Sequence, residues 1–288
     1  MHANRTRKYA AHDWARQLIK ILLDTIFPPR CLVCNRLFKT TVAQPGADQP
    51  ANAKTEIIDT SPESYQLLTS YCCPECMSTF TVISAPLCSG CGIMFKSRQG
   101  RNHFCGDCIT QPKKFRIARA AVANNKQLMT AIHRFKYAGK IQLAGLFGGL
   151  MLNTYRRFWE QEKFDLVLPV PLHIKKFRTR GFNQSYLLIR SWKSISNPTA
   201  VELSAIPVST DILIKNKATL PQTGLGRQQR LKNIRGAFRI RDAQKVDAKK
   251  VLLIDDVYTT GATVNECARM LLNAGAELVD VLTVARAL

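Results

Sequence analysis

The chain contains 288 residues, 46% of them apolar, and its formal net charge at neutral pH is +22. This length is enough for one medium-sized domain and a smaller one, and the composition is that of a soluble globular protein. No run approaches the ~20 apolar residues that span a membrane. Arg16, Lys20 and Asp24 interrupt the apolar stretch near the start of the sequence, which disfavours a cleaved signal peptide. We therefore expect a cytoplasmic protein.

The positive charge is distributed unevenly along the chain. Residues 111–288 carry a net charge of +18, residues 31–110 are neutral, and residues 1–30 carry +4. A strongly basic domain predicts a polyanionic partner, and nucleic acid is the foremost candidate. A basic surface that serves only solubility would give the same composition.

Residues 1–30 contain a predicted amphipathic helix. Trp14, Leu18 and Ile26 lie near one face of a helix over residues 13–27, and Pro28 ends it. A helix that packs on the body of the protein is the first interpretation. Its lysines and arginines leave a helix on a membrane surface as the second.

Cysteine pairs dominate the next segment. Nine of the ten cysteines lie between residues 31 and 108, and eight of them form four C-x-x-C pairs. This spacing lets two thiolates face one ion, so four pairs predict two structural zinc ions, each bound by four sulfurs. Disulfides are disfavoured in a cytoplasmic chain, while redox motifs and iron–sulfur clusters are weaker alternatives. The pairs are Cys31/Cys34, Cys73/Cys76, Cys88/Cys91 and Cys105/Cys108.

The sequence does not determine which two C-x-x-C pairs bind the same ion. The third and fourth pairs have a short connection, as in a zinc ribbon, but an interleaved arrangement is also compatible with the sequence. Residues 40–64 are rich in small and polar residues and in proline, which predicts a flexible insert. We assign residues 31–110 to a zinc-binding module that contains this insert.

Residues 115–288 alternate between predicted strands and helices, which indicates an α/β fold with a parallel sheet. Ligands of such sheets bind at the carboxyl ends of the strands. Strands are predicted at 116–123, 165–172, 236–240, 251–254 and 278–284, with weaker candidates at 206–208 and 212–214. Helices are predicted at 126–136, 141–159, 182–194, 225–233 and 264–272.

The most informative stretch is VLLIDDVYTTGAT, residues 251–263. Its four apolar residues read as a buried strand, because they do not alternate with polar ones. The following small residues and the next helix form an anion site of backbone N–H groups and hydroxyls. Asp255 and Asp256 beside it suit a ligand with hydroxyls next to a phosphate, such as a ribose 5-phosphate. A capped helix with two solvated acids is the alternative. The predicted phosphate-binding residues are Thr259, Thr260, Gly261, Ala262 and Thr263.

Basic side chains elsewhere add possible phosphate ligands. Lys136 lies at the predicted end of a helix, where it would contact phosphate or simply pair with the helix dipole. Arg178 and Arg180 follow the predicted strand that ends near Pro171, and guanidinium groups suit pyrophosphate or nucleic-acid phosphate. Asn183, shortly after them, could serve only as a helix N-cap.

Residues 251–263 resemble the motif of type I phosphoribosyltransferases that binds 5-phosphoribosyl 1-pyrophosphate (PRPP). The segments F-K-Y-A-G-K, V-P-V-P-L and R-G-F-N-Q precede it in that order, behind the four cysteine pairs. Together these motifs resemble the ComF family, of the ComFC/GntX kind, over nearly everything from residue 31 onward. The resemblance implies a type I phosphoribosyltransferase-like parallel sheet with a small N-terminal zinc module.

The resemblance also implies roles for residues. Asp255 and Asp256 would hold the ribose and would be the catalytic residues of an enzyme, and residues 259–263 would hold its 5-phosphate. In such proteins the role is in DNA uptake and natural transformation. Single-stranded DNA and proteins of DNA uptake or recombination are the partners that we expect.

Two other functions remain open. The first is an active phosphoribosyltransferase of nucleotide metabolism, which releases pyrophosphate from PRPP while Mg²⁺ neutralises the leaving group. The second is a regulator that senses its ligand without turnover. Pyrophosphate release distinguishes the transferase from the non-catalytic functions.

Overall fold

The computed structural model describes residues 29–38, 71–97, 99–190, 192, 205–219 and 226–287. The predicted N-terminal helix and the insert 40–64 lie outside these ranges. Within them, no helix combines the length and the apolar character that a membrane crossing requires. The assignment of residues 1–30, 31–110 and 115–288 to three separate units stays a prediction.

A parallel sheet of four strands forms the centre of the protein, in the order β1-β6-β5-β2. The predicted α/β fold is therefore confirmed. A separate antiparallel pair, β3-β4, stands apart from this sheet. The strands are β1 (Ala118–Ala123), β2 (Leu166–Pro169), β3 (Leu213–Lys215), β4 (Phe238–Ile240), β5 (Lys250–Tyr258) and β6 (Leu278–Arg286).

Eight helices have defined bounds in the described part of the chain. Four of the five predicted helices agree with observed helices to within a few residues at each end. The fifth, predicted at 182–194, corresponds to the shorter α6. The sequence did not predict α5, because this helix buries none of its residues and so has no apolar stripe. The helices are α1 (Pro74–Met77), α2 (Gly106–Thr110), α3 (Lys126–Tyr137), α4 (Leu143–Trp159), α5 (Ile174–Arg180), α6 (Gln184–Arg190), α7 (Arg227–Ile234) and α8 (Ala262–Asn273).

Both faces of the sheet are buried, as expected for parallel strands. Successive side chains of β5 point to opposite faces, so Leu252 and Ile254 lie in one apolar cluster with α3 and α4. Val251 and Leu253 lie in a second cluster with α8. The apolar run that the sequence identified is therefore the central layer of the core.

The central strand continues further than the sequence predicted. Asp255 and Asp256 lie within β5, which ends only at Tyr258. The register explains this extension, because β5 remains paired with β6 as far as Tyr258 and Arg286. Of the weaker strand candidates, Val208 forms only an isolated bridge with Val167.

The cysteine-rich segment covers the free edge of β1. The backbone N–H of Ile83 donates to Ala121 O at 3.2 Å, and that of Ala123 donates to Thr81 O at 2.8 Å. An exposed sheet edge would offer unpaired donors and acceptors to other chains. Residues 81–83 cap that edge within this chain.

A buried carboxylate fixes β6 to its neighbours. Asp280 is fully buried, and it accepts hydrogen bonds from Trp159 Nε1 at 2.7 Å and from Arg116 Nη2 at 2.5 Å. The backbone N–H of Ile117 donates to it as well, at 3.2 Å. The charge is therefore paired and hydrogen-bonded, which a buried carboxylate requires.

Candidate phosphate-binding site and cysteine centres

The acid pair lies at the carboxyl end of β5, between β2 and β6. Both carboxyl groups are buried. Ser185 Oγ donates to Asp255 Oδ1 at 3.2 Å, and the backbone N–H of Asp256 donates to the same oxygen at 2.9 Å. Burial and the adjacent charge of Asp256 raise the pKa of Asp255 to about 7. The alternative of two solvated acids is therefore wrong.

Lys136 provides the positive charge that faces this pair. It lies in the last turn of α3, and its Nζ is 2.7 Å from Asp256 Oδ2. Both side chains are largely buried, at 20% and 6% exposure, so their attraction is weakly screened by solvent. The sequence placed Lys136 at a helix end and proposed a phosphate contact. The structure adds a contact with the acid pair.

The TTGAT loop, residues 259–263, follows β5 directly. Gly261 has φ of +73°, and a Cβ at this position would lie 2.2 Å from Tyr258 Oη. Only glycine combines this backbone conformation with so close an approach. Helix α8 begins at Ala262, so Ala262 and Thr263 belong to its first turn and not to the loop that the sequence predicted.

A small cleft opens above this loop and the helix start. Its lining includes Asp255, Thr259, Gly261 and Thr263. Backbone N–H groups of a first helical turn have no partner within the helix, and the helix dipole favours an anion there. The cleft thus joins the carboxyl group of Asp255 to a site suited to phosphate.

The two predicted arginines have different surroundings. The Arg180 guanidinium lies over the ring of Tyr137, 4.9 Å from its centroid, and donates to Gln184 Oε1. Arg178 is exposed on α5. Asn183 accepts a hydrogen bond from the backbone N–H of Ser185 at 3.0 Å, which supports its interpretation as an N-cap.

Two lysines near the acid pair were missed by the sequence reasoning. Burial lowers the pKa of Lys215, and the positive charge of Lys176 lowers it further, whereas Asp255 opposes this shift. The pKa of Lys176 is lowered by desolvation of its ammonium group and by Arg180 and Lys136, although the residue as a whole is exposed. Lys136 contacts Asp256 directly, Lys215 interacts with Asp255, and Lys176 interacts with the cations Lys136 and Arg180.

The eight paired cysteines form two separate tetrads. In each tetrad, all four sulfurs lie within 4.8 Å of one another, and all ten cysteines of the chain carry free thiols. The sequential combination of pairs is therefore correct, and the interleaved one is wrong. Cys72, the extra neighbour, is buried but is outside the first tetrad. The first tetrad is Cys31, Cys34, Cys73 and Cys76, and the second is Cys88, Cys91, Cys105 and Cys108.

Both tetrads have the donor set of a closed metal centre. Four thiolates at tetrahedral spacing suit zinc, which takes Cys₄ ligands in structural sites. Backbone N–H groups also point at the sulfurs: that of Cys73 donates to Cys31 Sγ at 3.4 Å, and that of Cys105 donates to Cys88 Sγ at 3.3 Å. Such bonds stabilise a thiolate. Each tetrad could therefore hold one zinc ion.

Comparison with known proteins gives consistent similarities. The family described as "Phosphoribosyl transferase domain" matches residues 195–288. "Competence protein F" of Haemophilus influenzae is 28% identical over 233 residues, which cover 75% of this chain and 96% of that protein. "DNA utilization protein YhgH" of Salmonella typhimurium is 30% identical over 187 residues, covering 64% of this chain and 78% of that protein. "Competence protein ComFC" of Bacillus subtilis is 28% identical over 209 residues, covering 70% and 78%.

Proposed function

Because the chain belongs to the ComF family, we propose that it is a cytoplasmic factor of DNA uptake and natural transformation that binds PRPP or a related ribose phosphate. Its relatives are named competence proteins and DNA utilization proteins, which supports a role in DNA uptake. The buried acid pair beside the TTGAT loop supports the ligand, and this juxtaposition carries the proposal.

The acid pair and the loop match the two ends of a ribose phosphate. Asp255 and Asp256 accept hydrogen bonds from the 2′ and 3′ hydroxyls, while the loop and the first turn of α8 hold the 5-phosphate. A ligand with phosphate alone would leave two buried carboxylates facing an anion. A sugar without phosphate would leave the helix N-terminus without an anion.

The surrounding cations favour a ligand with more than one phosphate. Lys136 is paired with Asp256, the charges of Lys136 and Arg180 act on Lys176, and the charge of Lys176 acts on Lys215. Four cations exceed the charge of the two acids, so the site retains positive charge for pyrophosphate. This excess supports PRPP over a ribose monophosphate.

Zinc would bind to the two cysteine tetrads in a structural role. Each tetrad is closed by four protein ligands and so leaves no open position for a substrate. The eight cysteines named above would hold the two ions.

Helix α5 is the element best suited to single-stranded DNA. Residues 174–179 of this helix are exposed. They include Lys175 and Arg178, and Phe177 has 43% of its surface exposed. A charged groove with aromatic side chains is typical of single-strand binding, since bases stack on the rings. Phe238, another aromatic candidate, is buried and belongs to the core.

An active phosphoribosyltransferase remains the second function. Its support is the cationic cluster, which suits a leaving pyrophosphate, together with the acid pair at the ribose. In this function Asp255 and Asp256 position the ribose, and Mg²⁺ supplies charge neutralisation when bound. Lys136 orients Asp256 through their ion pair.

Ligand binding is tested by calorimetry with PRPP in the presence of Mg²⁺. The double variant Asp255→Asn, Asp256→Asn keeps the shape of both side chains but removes their charges, and we expect it to lose PRPP binding and keep two zinc ions. Glu277→Gln is the matched control, because Glu277 precedes β6 at the opposite end of the sheet. Unchanged PRPP affinity in the double variant would refute the assignment of Asp255 and Asp256 to the binding site.

DNA binding is tested by fluorescence anisotropy with a labelled oligo-dT at several salt concentrations. Replacement of Arg178 by Ala should lower the salt slope by about 0.7, the value for one phosphate contact on a single strand. Phe177→Ala should weaken binding without a change of slope. Lys249→Ala removes the same charge from the amino end of β5 and serves as the control. A wild-type slope in Arg178→Ala together with wild-type affinity in Phe177→Ala would exclude α5 as the DNA contact.

Turnover is tested separately, by pyrophosphate release from PRPP with a panel of purine and pyrimidine bases. Release that requires a base and is lost in the double acid variant would establish the transferase. PRPP binding without release would establish the non-catalytic function.

A further inference from the structure

Arg286, the last residue of β6, lies between the second cysteine tetrad and the TTGAT loop. Its Nη2 donates to Cys91 Sγ at 3.1 Å. Its guanidinium also lies over the ring of Tyr258, with Cζ 4.1 Å from the ring centroid. One buried side chain thus contacts a predicted metal ligand and the residue that precedes the loop.

Tyr258 connects Arg286 to the TTGAT loop, because it contacts both. Its ring packs so closely on Gly261 that a Cβ there would lie 2.2 Å from the hydroxyl oxygen. Its backbone O accepts a hydrogen bond from the N–H of Ala287 at 2.9 Å. A shift of Arg286 would therefore displace the ring against which the loop is folded.

The electrostatic stabilisation of the Arg286 guanidinium depends on the negative charge of the neighbouring tetrad. Its Nε and Nη1 are buried and have no hydrogen-bond partner in the described part of the chain. A buried cation with so few partners is costly unless an anion lies beside it. Four thiolates around Zn²⁺ carry a net charge of −2, so a loaded tetrad supplies that anion.

A second buried arginine, Arg119, lies beside the second tetrad and adds positive charge there. Arg119 is buried, and its guanidinium donates to the backbone oxygens of Ser89 and Gly90 at 3.2 and 3.4 Å. These two residues lie between the ligands Cys88 and Cys91. Two buried arginines therefore lie beside the second tetrad, where a bound zinc ion with four thiolates would give a charge of −2.

The linker after the second tetrad makes an additional contact with the binding site. The backbone N–H of Lys114 donates to Asn265 Oδ1 at 2.7 Å, and Asn265 lies in the first turn of α8. The segment that carries the second tetrad is thus attached to both sides of the TTGAT loop.

The first tetrad has different neighbours. Its cysteines pack in the apolar cluster of α3 and α4, whereas Cys88, Cys91 and Cys108 pack in the cluster that contains Tyr258 and Ala262. The two tetrads have the same ligands and different surroundings, so one can serve as the control for the other.

We propose that a metal ion in the second tetrad holds the TTGAT loop in its binding conformation through Arg286, which makes Arg286 a positioning residue for that loop. The metal of the first tetrad has no such effect. The effect of this metal ion on ligand affinity rests on the proposed function, in which the loop holds the 5-phosphate. Its effect on the order of the loop is independent of the proposed function.

The test is hydrogen–deuterium exchange of the full-length, zinc-loaded protein, followed in peptides over residues 258–263. Cys105→Ser breaks the second tetrad and Cys34→Ser breaks the first, and both cysteines are half-buried. We expect Cys105→Ser to speed exchange in the loop by about tenfold or more, and Cys34→Ser to leave it unchanged. Equal effects of the two variants, or none, would overturn the proposal.

Arg286→Met covers the case in which Cys105→Ser does not fold. It keeps all eight ligands, so zinc content should remain near two per chain while exchange in the loop accelerates. Exchange in α4 should not change, since a general loss of packing would accelerate both regions. Slow loop exchange in Arg286→Met at full zinc content would refute the role of Arg286.

PRPP calorimetry on the same variants separates the two proposals. If the wild type does not bind PRPP, the proposed function fails while the exchange data still decide the coupling. If the wild type binds PRPP, Arg286→Met should bind it at least about tenfold more weakly. Undiminished affinity together with unchanged loop exchange would count against the coupling alone.

Discussion

Asp255 should make the stability of the protein depend on pH near neutrality. Its pKa is about 7 in the folded protein, against an ordinary value of 3.8, because the carboxyl group is buried and lies beside Asp256. The folded protein therefore binds a proton at this site more tightly than the unfolded chain does. The resulting stability is fully present below the unfolded pKa and is lost as the pH rises through the folded value.

The size of this effect follows from the two pKa values. Between about pH 5.5 and about pH 8.5, protonation of Asp255 contributes a change of ~2 kcal/mol in the free energy of unfolding. Asp255→Asn cannot titrate, so the difference between wild type and variant isolates this contribution from all other groups. We expect wild type to lose about 2 kcal/mol relative to the variant over this range.

Urea unfolding at a series of pH values measures that difference, with zinc present and the metal content checked at each pH. PRPP affinity should change in the opposite direction, because ribose hydroxyls donate to the ionised carboxylate. It should therefore weaken below about pH 7 in wild type. A pH-independent difference in unfolding free energy between wild type and Asp255→Asn would refute a raised pKa at this residue.

Three further substitutions test the surroundings of the site. Lys136→Met leaves Asp256 buried without its cation, so we expect a loss of about 2–3 kcal/mol in chemical unfolding and weaker PRPP binding; wild-type stability would show that the ion pair contributes nothing. Asp280→Asn should lower the free energy of unfolding by about 3 kcal/mol. At a temperature where this variant is folded, its PRPP affinity should equal that of wild type. Reduced affinity would mean that this carboxylate also shapes the binding site. Gly261→Ala combines a left-handed backbone with a steric conflict, which costs about 2–3 kcal/mol; calorimetry should show weakened PRPP binding with zinc retained, and normal binding would contradict a rigid loop.

The sequence was most informative where burial imposes a pattern. The apolar run of β5 predicted a central strand, because a strand covered on both faces has consecutive apolar residues instead of alternating ones. The alternation of strands and helices predicted the α/β fold class, because parallel strands are connected by helices that cover the sheet. Helix α5 was missed because it buries nothing, so its sequence carries no helical periodicity.

The site was predicted in part. Asp255, Asp256 and the loop are contiguous, so their proximity could be read directly from the chain. Lys215 of β3 interacts with Asp255, and Lys176 of α5 interacts with Lys136 and Arg180. Only the tertiary structure brings these elements together. Arg286 was missed because the last strand was predicted to end at Val284, where its apolar run stops.

The cysteines show the same limit. Their spacing predicted two metal centres, since the ligand geometry is local to each C-x-x-C pair. The partner of each pair depends on contacts between distant segments. The first tetrad joins Cys34 and Cys73, which are 39 positions apart, with their sulfurs at 3.7 Å.

The strand order has a consequence for synthesis of the chain on the ribosome. Strand β1 is the first strand of the four-stranded sheet in sequence, but among the described strands it pairs with β6, the last. Pairs so distant in sequence close slowly, because a long loop must be ordered before any contact forms. Nascent β1 must therefore wait, with residues 81–83 on one edge, until β6 has left the ribosome. A truncation shortly before Leu278 would remove the neighbour of both β1 and β5 at once, so two of the three pairings in the sheet depend on this one strand.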